Sequence, residues 1–180
     1  MKIKSLLLIA AAVSLPAVPA MADTYDIFND TTGASVFNRP TQAGDALSDF
    51  GSAVPYYAQI FSVNLSGNYD FSAHANTPSS FDTFIHVYSG SFNPSAPLNN
   101  FLAANDDASA SPDLGSALNG LTLLAGNSYT FVIDGFGDSD FGQFKATISG
   151  PGTISPVPEP AALTLVGLGL MGFCLARRRH

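Results

Sequence analysis

Aspartates gathered in two short stretches are the side chains of this sequence best suited to chemistry. Asn105-Asp106-Asp107, with Asp113 close behind, forms one, and Asp134-Gly135-Phe136-Gly137-Asp138-Ser139-Asp140 forms the other. Calcium takes six to eight hard oxygen ligands, and flexible aspartate-rich loops at one end of a β-fold supply them. Asp106, Asp107 and Asp134 are the expected ligands, with calcium as the expected ion. The EF-hand pattern is excluded, because no glutamate stands at the required distance. The competing role for the same aspartates is local: a short carboxylate bonds nearby backbone N–H groups and stabilises turns.

Other reaction centres find little support. His74 and His86 lie in the middle of the chain without a His-Glu-x-x-His or Gly-x-Ser-x-Gly pattern, so neither zinc nor a nucleophilic triad is indicated. His86 alternates onto one strand face with Asp82, Phe84 and Tyr88, which assigns it to a strand surface. Paired carboxylates for glycoside hydrolysis exist in number, but the acids fall in turns. Gly167-Leu168-Gly169-Leu170-Met171-Gly172 spells a dinucleotide fingerprint, yet no strand precedes it and no acid follows it. Asp140-Phe141-Gly142 spells a kinase motif with no other kinase element. The expectation is a protein that is not an enzyme. Tyr56, Tyr57, Tyr69, Phe84, Tyr88 and Phe136 remain as rings able to stack on sugars if one face of the fold is open, and as core filler otherwise.

The elements that would position these residues read as short strands between turn clusters. Candidate strands are 25–29, 56–63, 69–74, 81–88, 98–104, 118–124, 129–133 and 144–148, with 31–55 a polar loop broken by Pro40, Gly44 and Gly51. Ser66-Gly67-Asn68 and Ala125-Gly126-Asn127 supply tight turns. About eight such strands predict an all-β fold, an antiparallel β-sandwich over residues 23–150. Cys174 is the only cysteine and lies outside this body, so packing or metal must hold it.

Both ends of the chain carry different signals. Lys2 and Lys4, an apolar run Leu6 to Leu15 and the small-x-small site Ala20-Met21-Ala22 predict a signal peptide over 1–22, removed by signal peptidase after export. Residues 151–160 read as a Pro/Gly linker ending in Pro156-Val157-Pro158-Glu159-Pro160. The uncharged run 161–176 predicts a transmembrane helix of roughly 24 Å, and Arg177, Arg178 and Arg179 in the basic tail 177–180 orient it toward the cytoplasm. Val157-Pro158-Glu159-Pro160, a single span and a terminal arginine cluster together resemble the PEP-CTERM sorting signal. That resemblance implies cleavage near the motif by an exosortase-type membrane protease. It also implies an inner-membrane anchored precursor that reaches the cell surface or exterior, and an association with exopolysaccharide and biofilm matrix.

Charge sharpens the picture. Between residues 23 and 150 thirteen aspartates face only Arg39 and Lys145, a formal balance of −11. Such a surface repels phosphates, so nucleic acid is excluded as a partner. The order Phe81-Asp82-Thr83-Phe84-Ile85-His86-Val87-Tyr88, Asn105-Asp106-Asp107, and Leu124-Ala125-Gly126-Asn127-Ser128-Tyr129 running to Asp134-Gly135 is similar to the bacterial pre-peptidase C-terminal (PPC) domain over residues 56–149. That similarity implies a jelly-roll-like sandwich serving as an accessory or carbohydrate- and protein-binding module, here without room for the protease that such domains often flank. The function expected is a cell-surface or matrix protein that binds exopolysaccharide. The alternative is a protein-interaction or purely structural module with no carbohydrate ligand.

Overall fold

A computed structural model describes residues 22–76, 80–108 and 114–157. Residues 1–21 of the expected signal peptide, the expected transmembrane helix and the basic tail lie outside the described residues, as do Asp113, Pro158, Glu159 and Pro160. Among the described residues no helix is long and apolar enough to cross a membrane.

Among the described residues eleven strands form: β1 (Asp23–Asp30), β2 (Val36–Phe37), β3 (Val54–Pro55), β4 (Tyr57–Val63), β5 (Gly67–Ala75), β6 (Thr83–Ser89), β7 (Phe101–Asn105), β8 (Ser116–Leu123), β9 (Ser128–Gly135), β10 (Gln143–Gly150) and β11 (Ile154–Pro156). Four of them make one sheet in the order β1-β10-β5-β8, and five make a second in the order β11-β4-β9-β6-β7. All pairings are antiparallel. The expected all-β sandwich is what the chain builds.

Period-2 alternation explains the packing, since every second side chain of a strand meets the opposing sheet. Phe71 and Ala73 of β5 and Phe144, Ala146 and Ile148 of β10 face Phe61 and Val63 of β4, Phe131 and Ile133 of β9, and Ile85 and Val87 of β6. Each fully buried large side chain contributes about 1.5–3 kcal/mol over its exposed state. Tyr69 is buried with its ring, and its hydroxyl donates to the Leu65 carbonyl at 2.8 Å, closing the turn before β5. Gly150 has no room for a Cβ, because the Tyr69 ring occupies that space.

Two departures from the sequence reading set up the site. Residues 31–55, expected as a polar loop, carry the small β2–β3 pair, with Val36 opposite Pro55 and Phe37 opposite Val54. Phe37 and Val54 bury against Tyr88 and Val132, forming a second core on the outer face of the five-stranded sheet. The segment therefore caps that face, leaving β6 and β9 covered on both sides. The other departure is β11: Ile154–Pro156, expected within a free linker, pairs with Val63–Phe61 of β4. Ile154 is only 5% exposed and packs into the main core, which is the reason the chain stays bound there.

Candidate functional site

The outer face of β6 presents Phe84, His86 and Tyr88, and the register with β9 sets Phe84 beside Asp134 and His86 beside Val132. Capping by residues 31–55 seals this row. His86, expected at a strand surface, is fully buried: its side chain and that of Asp134 both have 0% exposure, with Nδ1 and Oδ2 3.1 Å apart. The contact is at ion-pair distance but lacks good hydrogen-bond alignment, and His86 Nε2 and Asp134 Oδ1 have no hydrogen-bond partner among the described residues. Burial pushes the Asp134 carboxyl up, while His86 and Arg39 pull it back.

Arg39 is the third member of this buried group. It comes from the cap, is 3% exposed, and lies with its guanidinium carbon 4.0 Å from the Phe84 ring centroid. Nε and Nη2 donate to the Phe136 carbonyl at 3.1 and 2.7 Å, and Nη1 donates to the Pro40 carbonyl at 3.1 Å. Burial lowers the Arg39 pKa, and the charges of Asp134, Asp106, Asp138 and Asp82 act against that shift. A buried guanidinium that bonds its neighbour's carbonyl and, 97 residues away, the Phe136 carbonyl is a clamp. Sequence reading counted Arg39 only as a charge, and its lone basic character in the first half of the domain was the one available signal.

The acidic site assembles where β6 begins and β7 ends. Antiparallel pairing of Ile85 with Asn105 brings Asp82 next to Asp106 and Asp107. One carboxylate oxygen from each lies within 4.8 Å of the others. Asn105 braces the turn: its Oδ1 accepts from the Asp106 N–H at 2.9 Å and from Gln42 Nε2 at 2.8 Å, and its Nδ2 donates to the Asp107 carbonyl at 3.0 Å. Burial first, then Asp82 and Asp107, pushes the Asp106 carboxyl up to about 6, and burial likewise raises Asp82. Asp82 Oδ1 and Asp106 Oδ1 are buried without a hydrogen-bond partner among the described residues. Crowded, partly desolvated carboxylates of this kind fit a hard divalent cation, which would relieve both the repulsion and the unmet oxygens.

The three aspartates expected as ligands therefore separate. Asp106 and Asp107 come together with Asp82, which sequence reading had placed only on a strand face. Asp134 lies instead under the cap beside His86. The rest of its loop is committed to structure: Asp138 accepts from the Ala53 N–H at 2.8 Å and from Ser52 Oγ at 2.9 Å, and Asp140 accepts from the Gly137 N–H at 2.8 Å.

The aromatic candidates divide as well. Tyr69, Phe84 and Tyr88 are buried, at 2% exposure or less. Phe136 is 37% exposed and stacks on Phe50 at 6.0 Å. Tyr56, with Phe37 and Phe92, forms a triad of edge-on rings whose centroids are 5.1–5.2 Å apart. Tyr56 and Phe92 open onto a cleft of about 340 Å³, whose remaining walls are Ser35, Tyr57, Ala58, Ile60, Ser91, Pro94 and Thr130. Among the described residues no acidic or basic side chain lines it.

Comparison with known protein families finds the PEP-CTERM protein-sorting motif at residues 156–179. No match to the PPC domain family accompanies it. No curated protein matches the chain. The motif indicates an exported protein that an exosortase, a membrane protease, processes on the way to the cell surface.

Proposed function

We propose that the sandwich works as a non-catalytic binding and structural module of the cell surface or extracellular matrix, associated with exopolysaccharide and holding calcium at its acidic edge. The observation that carries the reading is the uncharged aromatic cleft between Tyr56 and Phe92, on a domain whose last strand runs into the sorting motif. Aromatic faces stack on the apolar faces of sugar rings, while wall hydroxyls such as Ser35, Ser91 and Thr130 suit their rims. A body with a formal balance of −11 repels polyanions, so a neutral saccharide, or an acidic one bridged by calcium, is the matching ligand. The PPC-like order of motifs supports the same accessory role. The sealed His86–Asp134 pair, which has no exposed side-chain surface, supports a module without catalysis.

A glycan array probed with the full chain in detergent tests the reading. Binding that is lost in Phe92→Ser, at unchanged circular dichroism, is the expected result; an array without any retained glycan sinks the saccharide claim in favour of a protein-interaction or structural module. Calcium is tested separately. Millimolar calcium is expected to raise the melting temperature of the wild type and not of Asp82→Asn/Asp106→Asn, whereas no binding heat and no thermal shift would retire the ion.

A further inference from the structure

Beyond the last residue of β9, at the far end of that strand from Thr130 and the aromatic cleft, two rings stand in water. Phe136 follows directly on β9 and Phe50 comes from the cap; they are 37% and 73% exposed, and their rings stack with centroids 6.0 Å apart and planes 26° from parallel. A contiguous apolar pair left exposed marks an interaction surface, whereas single scattered residues do not. Both rings are held from below. Phe136 N–H donates to the Asp82 carbonyl at 3.0 Å, and the Phe136 carbonyl accepts from Arg39. Phe50 N–H donates to Ser48 Oγ at 3.1 Å, and Asp138 ties Ala53 to the loop after β9. A platform fixed in this way costs a partner little ordering on binding.

Contacts run unbroken from the core to this pair. Phe84 is 2% exposed and has the Arg39 guanidinium carbon 4.0 Å from its ring centroid; the same carbon lies 5.3 Å from the Phe136 centroid, and Phe136 meets Phe50. Arg39 thus touches two rings, and Phe50 ends the series mostly in water. The surroundings are acidic. Asp82, Asp106 and Asp138 lie close enough to act on the Arg39 charge, and Asp140 and Asp107 act on Asp82. Among the described residues the basic side chain at this end is Arg39 itself, at 3% exposure, so the surface presents carboxylates and aromatic faces without an exposed cation.

We propose that the Phe50–Phe136 pair docks an arginine-bearing segment of a partner protein, with a guanidinium laid on the Phe50 ring and the surrounding aspartates supplying the opposite charge. The partner's arginine would repeat outside the fold the ring contacts that Arg39 makes within it. A guanidinium is planar and weakly hydrated, so it stacks on an aromatic face while carboxylates hold its edge, which a compact, strongly hydrated ammonium does less well. A second copy of this chain fits poorly: among the described residues its other cation, Lys145, is paired with Asp26 at 3.0 Å. The surface shares no residue with the cleft and needs no bound ion, so it can fail while the carbohydrate and calcium readings stand, and the reverse.

The probe is a fluorescein-labelled peptide of alternating arginine and glycine, titrated by anisotropy with the full chain in a neutral detergent. EGTA removes calcium, and salt at about 0.15 M screens charges more than about 8 Å apart. Saturable binding is expected, and Phe50→Ser should weaken it about two- to fivefold, the share of an exposed cation–π contact, at an unchanged melting temperature. Phe50→Leu, which keeps apolar bulk but loses the ring, should weaken it as well. Phe28→Ser, which removes another exposed ring (67%) on β1, should bind as the wild type does. The matching lysine peptide should bind more weakly and ignore Phe50→Ser. Equal binding by the wild type and both Phe50 variants would show that net charge alone holds the peptide and overturns the proposal, as does an absence of saturable binding. A lysine peptide bound as tightly as the arginine peptide overturns it too.

Discussion

Replacing Arg39 by methionine tests whether the cap over β6 and β9 is clamped by charge. The guanidinium is 3% exposed and donates three hydrogen bonds to two carbonyls while lying over Phe84. Methionine fills similar volume but leaves the Phe136 and Pro40 carbonyls without their donor and Asp134 without the nearby Arg39 charge. Hydrogen bonds to charged groups are worth about 1.5–3 kcal/mol each, though bonds sharing one side chain do not add. Removing one member of a buried charge set costs about 3–5 kcal/mol, a range consistent with two such bonds. For a domain of this size each kcal/mol moves the melting temperature by about 3–5 °C, so Arg39→Met should fall by about 10–20 °C in calorimetry. Arg39→Lys keeps the charge but loses the planar fork on Phe136, and should lie between. Asp134→Asn should cost less in the Arg39→Met background than in the wild type, since the unpaired buried charge is then gone. An Arg39→Met melt within 3 °C of wild type, or strictly additive losses in the double variant, would refute the clamp.

Three further outcomes follow from the same geometry. Asp106 has its carboxyl raised to about 6, so the folded state holds that proton more tightly than the unfolded chain and ionisation works against the fold as pH rises from about 4 to 6. Melts of Asp106→Asn and wild type should therefore agree at pH 4 and separate by about 2–5 °C in favour of the variant at pH 7 without calcium, a size limited by solvent screening; equal melts at both values would remove the crowding argument. Asp138→Ala frees the Ala53 N–H and Ser52 hydroxyl, and hydrogen exchange at Ala53 should accelerate about tenfold while β5 and β10 amides stay unchanged. Tyr69→Phe leaves the Leu65 carbonyl without its donor at an otherwise intact ring, which should cost about 1 kcal/mol and about 3–5 °C in thermal unfolding.

The strands were legible where alternation faces one core and water. Residues 144–148 and 69–74 alternate, and the structure extends them only by a residue or two at each end as β10 and β5. The outer face of β6 was not legible by the same rule, because the rule assumes a wet face. Thr83–Tyr88 is buried at every position, as is Tyr129–Gly135 of β9. The signal for this was present in near-continuous apolar runs, Phe84-Ile85-His86-Val87-Tyr88 and Tyr129-Thr130-Phe131-Val132-Ile133, which mark strands covered on both faces. What the sequence did not mark was the cover, since residues 31–55 contribute few large apolar side chains to it and look like loop by composition. Asp134 was misplaced for the same reason: an aspartate near a turn reads as solvated unless the segment folding over it is known.

The acidic site shows the complementary limit. Asp106 and Asp107 are neighbours in sequence and were grouped from it, whereas Asp82 joins them only through the β6–β7 register, a long-range fact that spacing cannot carry. The tail reverses the lesson. Residues 151–160 were read as a linker from their proline and glycine content, which says what the segment cannot do inside a helix or a central strand. Ile154 nevertheless buries in the main core at 5% exposure and holds Ile154–Pro156 against Val63–Phe61 of β4, so one apolar side chain in register outweighs the composition around it, and only the structure supplies that register.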